Sequence, residues 1–96
     1  MSSIIGDLLT NRIRSELRNR VEQILKAGEE WSKAARELTE ALDRLTEAIK
    51  NGGVDKSAVR SVVSKTSRLS RETKKLTRAF EMQTKTLEKA LAKIGA

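Results

Sequence analysis

The sequence predicts an all-α protein, an antiparallel hairpin of two long, coiled-coil-like helices, and three observations carry that expectation. Apolar residues recur at alternating steps of four and three on both sides of one glycine pair. That pair, Gly52-Gly53, is the one strong break in the middle of the chain, which contains no proline. The two apolar rhythms also fall into register when the chain is folded at that break.

The first helix is expected over about residues 3–50. From Leu17 the rhythm runs through Val21, Ile24, Gly28, Trp31, Ala35, Leu38, Leu42, Leu45 and Ile49, a heptad pattern whose a and d positions form a seam. The turn is expected at 51–54. Asn51 and Gly52 suit the left-handed conformation that closes a helix, and Asp55 is a good N-cap for the next one. Val54 and Val59 then have the spacing of a hydrophobic staple. The second helix is expected over about 55–94, its seam passing through Val59, Val62, Thr66, Leu69, Thr73, Leu76, Phe80, Gln83, Leu87, Ala90 and Ile94. Hydroxyl and amide groups weaken it at Thr66, Thr73 and Gln83.

Folding about Gly52 pairs residues whose numbers share one sum. Leu45 meets Val59, Leu38 meets Thr66, Trp31 meets Thr73 and Ile24 meets Phe80, each pair adding to 104. Trp31 and Phe80, the only aromatic residues, are thereby assigned to the core, with Trp31 accommodated opposite a threonine and next to Gly28. Residues 1–96 make a single helical-hairpin domain on this reading.

A two-helix rod of this length buries little surface, so a partner is expected. The positions flanking the seam point the same way. Charged residues normally occupy them, yet here they include Ala27, Ala34, Ala41 and Ala48 on the first helix and Val63 and Leu91 on the second. These six are the expected self-association surface, which would join hairpins into a four-helix bundle or a higher helical assembly. Beyond the end of the second helix, Ile4, Ile5, Leu8 and Leu9 form an apolar overhang suited to an inter-subunit contact and, less so, to shallow binding at a membrane surface.

The net charge is +7, and its placement is uneven. Residues 1–53 hold nine basic and nine acidic side chains, whereas residues 54–96 hold eleven and four. The whole excess belongs to the second half. There Arg60, Arg68, Arg71, Lys74, Lys75, Arg78, Lys85 and Lys89 take outward positions, a stripe able to meet successive phosphates of a nucleic acid without reading sequence. Glu29, Glu30, Glu37 and Glu40 lie at the height of its densest part, so ion pairing between helices competes with that use.

Catalysis lacks its usual reagents. The chain has no His and no Cys, which removes the commonest general base, the thiolate nucleophile and the main transition-metal ligands. No glycine-rich phosphate loop or nucleophile elbow is present. The expectation is therefore a non-enzymatic assembly, structural or adaptor module with no cofactor, no metal and no small-molecule substrate. Its expected partners are copies of itself and another protein, with sequence-nonspecific nucleic-acid binding as the alternative. With no apolar run of membrane-spanning length and no secretory leader pattern, a cytoplasmic setting is expected, one compatible with non-classical export or incorporation in a virus-like particle.

In outline the plan resembles secretion-needle subunits, the small secreted hairpins with a Trp-x-Gly turn, and the bundle proteins of plasmid copy control. The motifs depart from all three. A needle subunit would carry proline at its turn, and here Trp31 stands in mid-helix followed by Ser32-Lys33. No family is assigned.

Overall fold

The computed structural model describes residues 2–53 and 55–95, and the side chains of residues 10–53 and 55–93. Two helices, α1 (Ser2–Lys50) and α2 (Lys56–Gly95), pack antiparallel along their lengths as an extended hairpin. The rod measures 77 × 17 × 14 Å. That length is set by α1, since 49 residues rising 1.5 Å each give about 74 Å.

The turn closes through a complete Schellman arrangement. Gly52 N–H donates to the Ile49 carbonyl at 3.1 Å and Gly53 N–H to the Ala48 carbonyl at 3.0 Å, satisfying oxygens that the end of α1 would otherwise leave open. This geometry places Gly52 at φ +80°, where a β-carbon would be strained, and Gly52 is the described residue that adopts it. Asn51 keeps a negative φ. Asp55 caps α2 as expected, its carboxylate accepting from the Ser57 N–H at 3.0 Å and the Ser57 hydroxyl at 2.8 Å. Val54, and with it the expected staple, lies outside the described residues.

The alignment of the helices is the one that folding about Gly52 implies. Trp31 Nε1–H donates to Thr73 Oγ1 at 3.0 Å, joining two residues 42 apart in sequence. The same hydroxyl donates to the Leu69 carbonyl at 2.8 Å, so Thr73 links the indole to its own helix. Farther along, Arg20 Nε–H reaches Thr86 Oγ1 at 3.4 Å.

The packed face, however, differs from the expected a/d seam. The most deeply buried apolar residues are Ala34 (1 % exposed) and Ala41 (3 %), both at g, with Ala90 of α2 next. Ala27 and Ala48 are half-buried in the same column, and on α2 the matching g positions Ala58, Lys65, Glu72, Ala79 and Thr86 are buried or half-buried. The helices therefore meet on their d and g positions, and the bulky a residues Val21, Leu42, Ile49, Val59, Phe80 and Leu87 turn outward, while the small Gly28 and Ala35 at a stay half-buried. Trp31 is 38 % exposed and Phe80 52 %, which corrects their assignment to the core. The physical reason is steric: a column of methyl groups lets two helix backbones approach closely, and rotation toward that column moves the bulky a residues, Phe80 among them, off the contact, while the large Trp31 at d extends past its edge.

This arrangement makes Ala41→Leu a wedge. We expect it to destabilise the hairpin by about 1–3 kcal/mol, measured by urea unfolding followed by circular dichroism. Leucine would be tolerated there if position 41 merely flanked the contact.

Candidate functional site

Rotation onto the d/g seam divides the hairpin into two unlike faces. On an antiparallel pair, positions a and e of both helices point to one side of the plane through the two axes, and the c positions point to the other.

The c face is electrostatic. Arg68 is the hub, its guanidinium hydrogen-bonded to Glu37 and 4.0 Å from Glu30, while Lys65 approaches Glu37 at 3.5 Å. Glu72, buried at the seam, pairs with Lys75 one turn on at 3.5 Å. Burial acts to raise the Glu37 carboxyl, but the hydrogen bonds and charges of Arg68 and Lys65 outweigh it and hold it below the ordinary glutamate value. At the turn, hydrogen bonds from the Ser57 backbone and hydroxyl hold Asp55 below its ordinary value as well.

The a/e face is apolar and open. Val21, Leu25, Trp31, Leu42 and Ile49 of α1 lie on it beside Val59, Val63, Phe80, Leu87 and Leu91 of α2. Nine of the ten occupy a or e, and Trp31 stands at the adjoining d edge. Exposure reaches 63 % at Leu25, 60 % at Val63 and 67 % at Leu91. The bulk is not uniform. Large side chains gather near the turn and toward the open end, while the middle of α2 presents Thr66, Ser70, Thr73 and Thr77, with the Trp31 indole hydrogen-bonded to Thr73. Beside Phe80, a groove is lined by Thr77, Thr84 and Glu81.

The expected site residues are redistributed by this geometry. Ala27, Ala34, Ala41 and Ala48 are corrected from an outer self-association surface to the seam within the hairpin, because their small size makes them the place where α1 and α2 touch. Val63 and Leu91 remain outward, on the a/e face. The side chains of Ile4, Ile5, Leu8 and Leu9 lie outside the described ones, although their backbone continues α1. Of the basic stripe, Arg68 and Lys75 are engaged by Glu37, Glu30 and Glu72. Arg60, Arg71, Lys74, Arg78, Lys85 and Lys89 are exposed and enter no ion pair among the described residues. Glu29 and Glu40 likewise point away from the network that Glu30 and Glu37 form.

Two features escaped sequence reasoning. One is the role of the a positions as an outer face, and its signal was present in the unbroken alanine column at one heptad position of α1. The other is a detail of Gln83, whose seam position was expected: half-buried at d, it has its Oε1 enclosed with no hydrogen-bond partner among the described residues. Among the described residues no group of His, Cys, Asp or Glu side chains could hold a metal ion, and no helix is long and apolar enough to cross a membrane. No family model matches the chain, and comparison with curated proteins and with solved structures finds no match.

Because Glu37 titrates below its unfolded value, the stability it contributes is present above the ordinary carboxylate range and is lost as pH falls through the lowered folded value. Thermal melts at about pH 7 and about pH 3 should therefore differ more for the native chain than for Glu37→Gln, whose amide cannot titrate.

Proposed function

We propose that the protein is a non-enzymatic assembly module in which the apolar a/e face of the hairpin is the surface of self-association. The observation that carries this reading is the set of ten large apolar side chains, Val21 to Ile49 on α1 and Val59 to Leu91 on α2, that stand exposed on one side of the rod. A hydrophobic face of that extent on a free chain marks a contact surface. The protein would act by shape and surface, as a building block or an adaptor that presents its charged sides to another macromolecule. Absence of histidine and cysteine from the chain accords with a role without chemistry of its own.

Area supports the same reading. The hairpin exposes 7629 Å², whereas a globular chain of 10.7 kDa exposes about 5500 Å². The excess of roughly 2100 Å² is more than the ~800 Å² that each partner contributes to a stable interface of ordinary size. A second hairpin laid on the a/e face would convert two thin rods into one four-helix bundle with a core of Leu, Ile, Val, Phe and Trp.

Sedimentation at micromolar concentration should show a species heavier than the 10.7 kDa chain. Phe80→Ser should weaken association at least about a hundredfold, since each of two symmetric copies loses on the order of 1.5–3 kcal/mol of apolar burial. The variant should remain helical, because Phe80 is half exposed in the single hairpin. A compact monomer for the unaltered chain would overturn the reading.

A second reading is favoured by one observation, the six exposed cations on the outer side of α2 within a half-chain of net +7. They would contact phosphates of a nucleic acid, giving affinity that falls steeply with salt and ignores base sequence. A gel-shift series across salt tests it, and no shift at low salt would end it.

A further inference from the structure

We infer that the occupant of the apolar face is a second copy related by a two-fold axis running along the rod, with both turns at the same end and α1 of each copy beside α2 of the other. This arrangement rests on the self-association reading above and specifies its geometry. Two symmetric arrangements lay one a/e face on another. An axis along the rod places α1 next to the second copy's α2, with the two α2 helices on the diagonal. An axis across the rod instead places α2 next to α2 and sets the turns at opposite ends.

Charge separates the two. The half containing α1 is neutral and the half containing α2 carries +7. The axis across the rod would set two copies of the cationic helix at the neighbour spacing of about 10 Å, whereas the axis along it sets each beside a neutral helix and moves the two cationic ones to about 14 Å. The b positions border this new contact on its solvent side. With the axis along the rod, the hairpin's own register applies between copies, and Asp43 comes level with Arg60 and Glu29 with Lys74; Glu22 comes level with Glu81, the one like-charged match. With the axis across the rod, Arg60 comes level with Glu88, but Lys74 meets its own copy. The α1 rim carries both signs and decides little.

Shape agrees with charge. Trp31 and Thr73 each stand 21 residues from Gly52, at the middle of the paired length. An axis across the rod passes at that level and brings the two Trp31 indoles together. An axis along the rod instead offers each indole the small Ser70, Thr73 and Thr77 of the second copy's α2, and brings bulky Leu25 level with Phe80 and Leu42 level with Val63. Large side chains then meet where both helices have them, and the one outsized side chain meets the hollow.

The chain has no cysteine, so introduced thiols report proximity without background. Asp43→Cys and Arg60→Cys are made as separate variants, mixed, and treated with a short bismaleimide, so that a 43–60 crosslink can form only between copies. Lys74→Cys is treated alone. Glu29→Cys mixed with Lys74→Cys gives a second report should loss of the Asp43 and Arg60 charges weaken the dimer. The arrangement predicts a covalent dimer in both mixtures at least tenfold above that from Lys74→Cys alone. A sedimenting dimer that crosslinks at 74 and in neither mixture, or at none of these positions, overturns the arrangement while leaving self-association standing. A monomeric native chain overturns self-association itself.

Discussion

The alanine column of α1 is the constraint on which the rest of the molecule depends. Ala34 and Ala41 are almost wholly enclosed by α2, and Ala27 and Ala48 continue the same line toward each end. Methyl groups at seven-residue intervals let the backbones approach until d and g positions share the contact. Ile24, Leu38 and Leu45 at d stay half-buried in that contact, and the remaining large side chains of α1 are displaced to one side or the other. Acidic side chains at c fall on one flank, where Arg68 and Lys65 meet them, and the apolar a and e residues fall on the opposite flank.

This division explains how so thin a structure can hold one alignment. Backbone hydrogen bonds within the helices do not discriminate among registers, since any slide of one helix along the other preserves them. Discrimination comes from the few cross-helix contacts that need a partner at one height: the Trp31 indole on Thr73, the Arg68 guanidinium between Glu30 and Glu37, and Arg20 on Thr86. The turn adds its own constraint, because the Schellman bonds at Gly52 and Gly53 and the Asp55 cap leave little slack between the helix ends. Exposed ion pairs are individually weak. Here three of the four among the described residues converge on Arg68 or Glu37, so a slip of one heptad would disrupt the network together.

The same geometry links packing to association. A seam built from alanine buries little area, and the apolar side chains that would have enlarged it stand exposed on the other flank. The proposed assembly follows from this imbalance. Gln83 fits the picture of a thin seam: a polar group at a d position, half-buried with its carbonyl oxygen unpartnered among the described residues, is tolerated more readily in a narrow contact than in a close-packed core.

Much of the fold was legible in the sequence because its signals are local. Heptad spacing, the lack of proline, Gly52 at a position that requires positive φ, and Asp55 two residues before Ser57 each act within a few residues of where they are written. Register was legible too, since a short turn leaves two antiparallel helices one way to align. Rotation of each helix about its own axis was not. The a/d rhythm and the d/g alanine column are both heptad patterns lying on adjacent stripes, and sequence spacing cannot rank a wider apolar stripe above a narrower one that permits closer approach. Only the packed pair decides between them, because the gain from backbone proximity exists nowhere until two helices meet. That choice alone moved Ala34 and Ala41 into the seam, turned Phe80 outward, and gathered the bulky residues of both helices onto a single face.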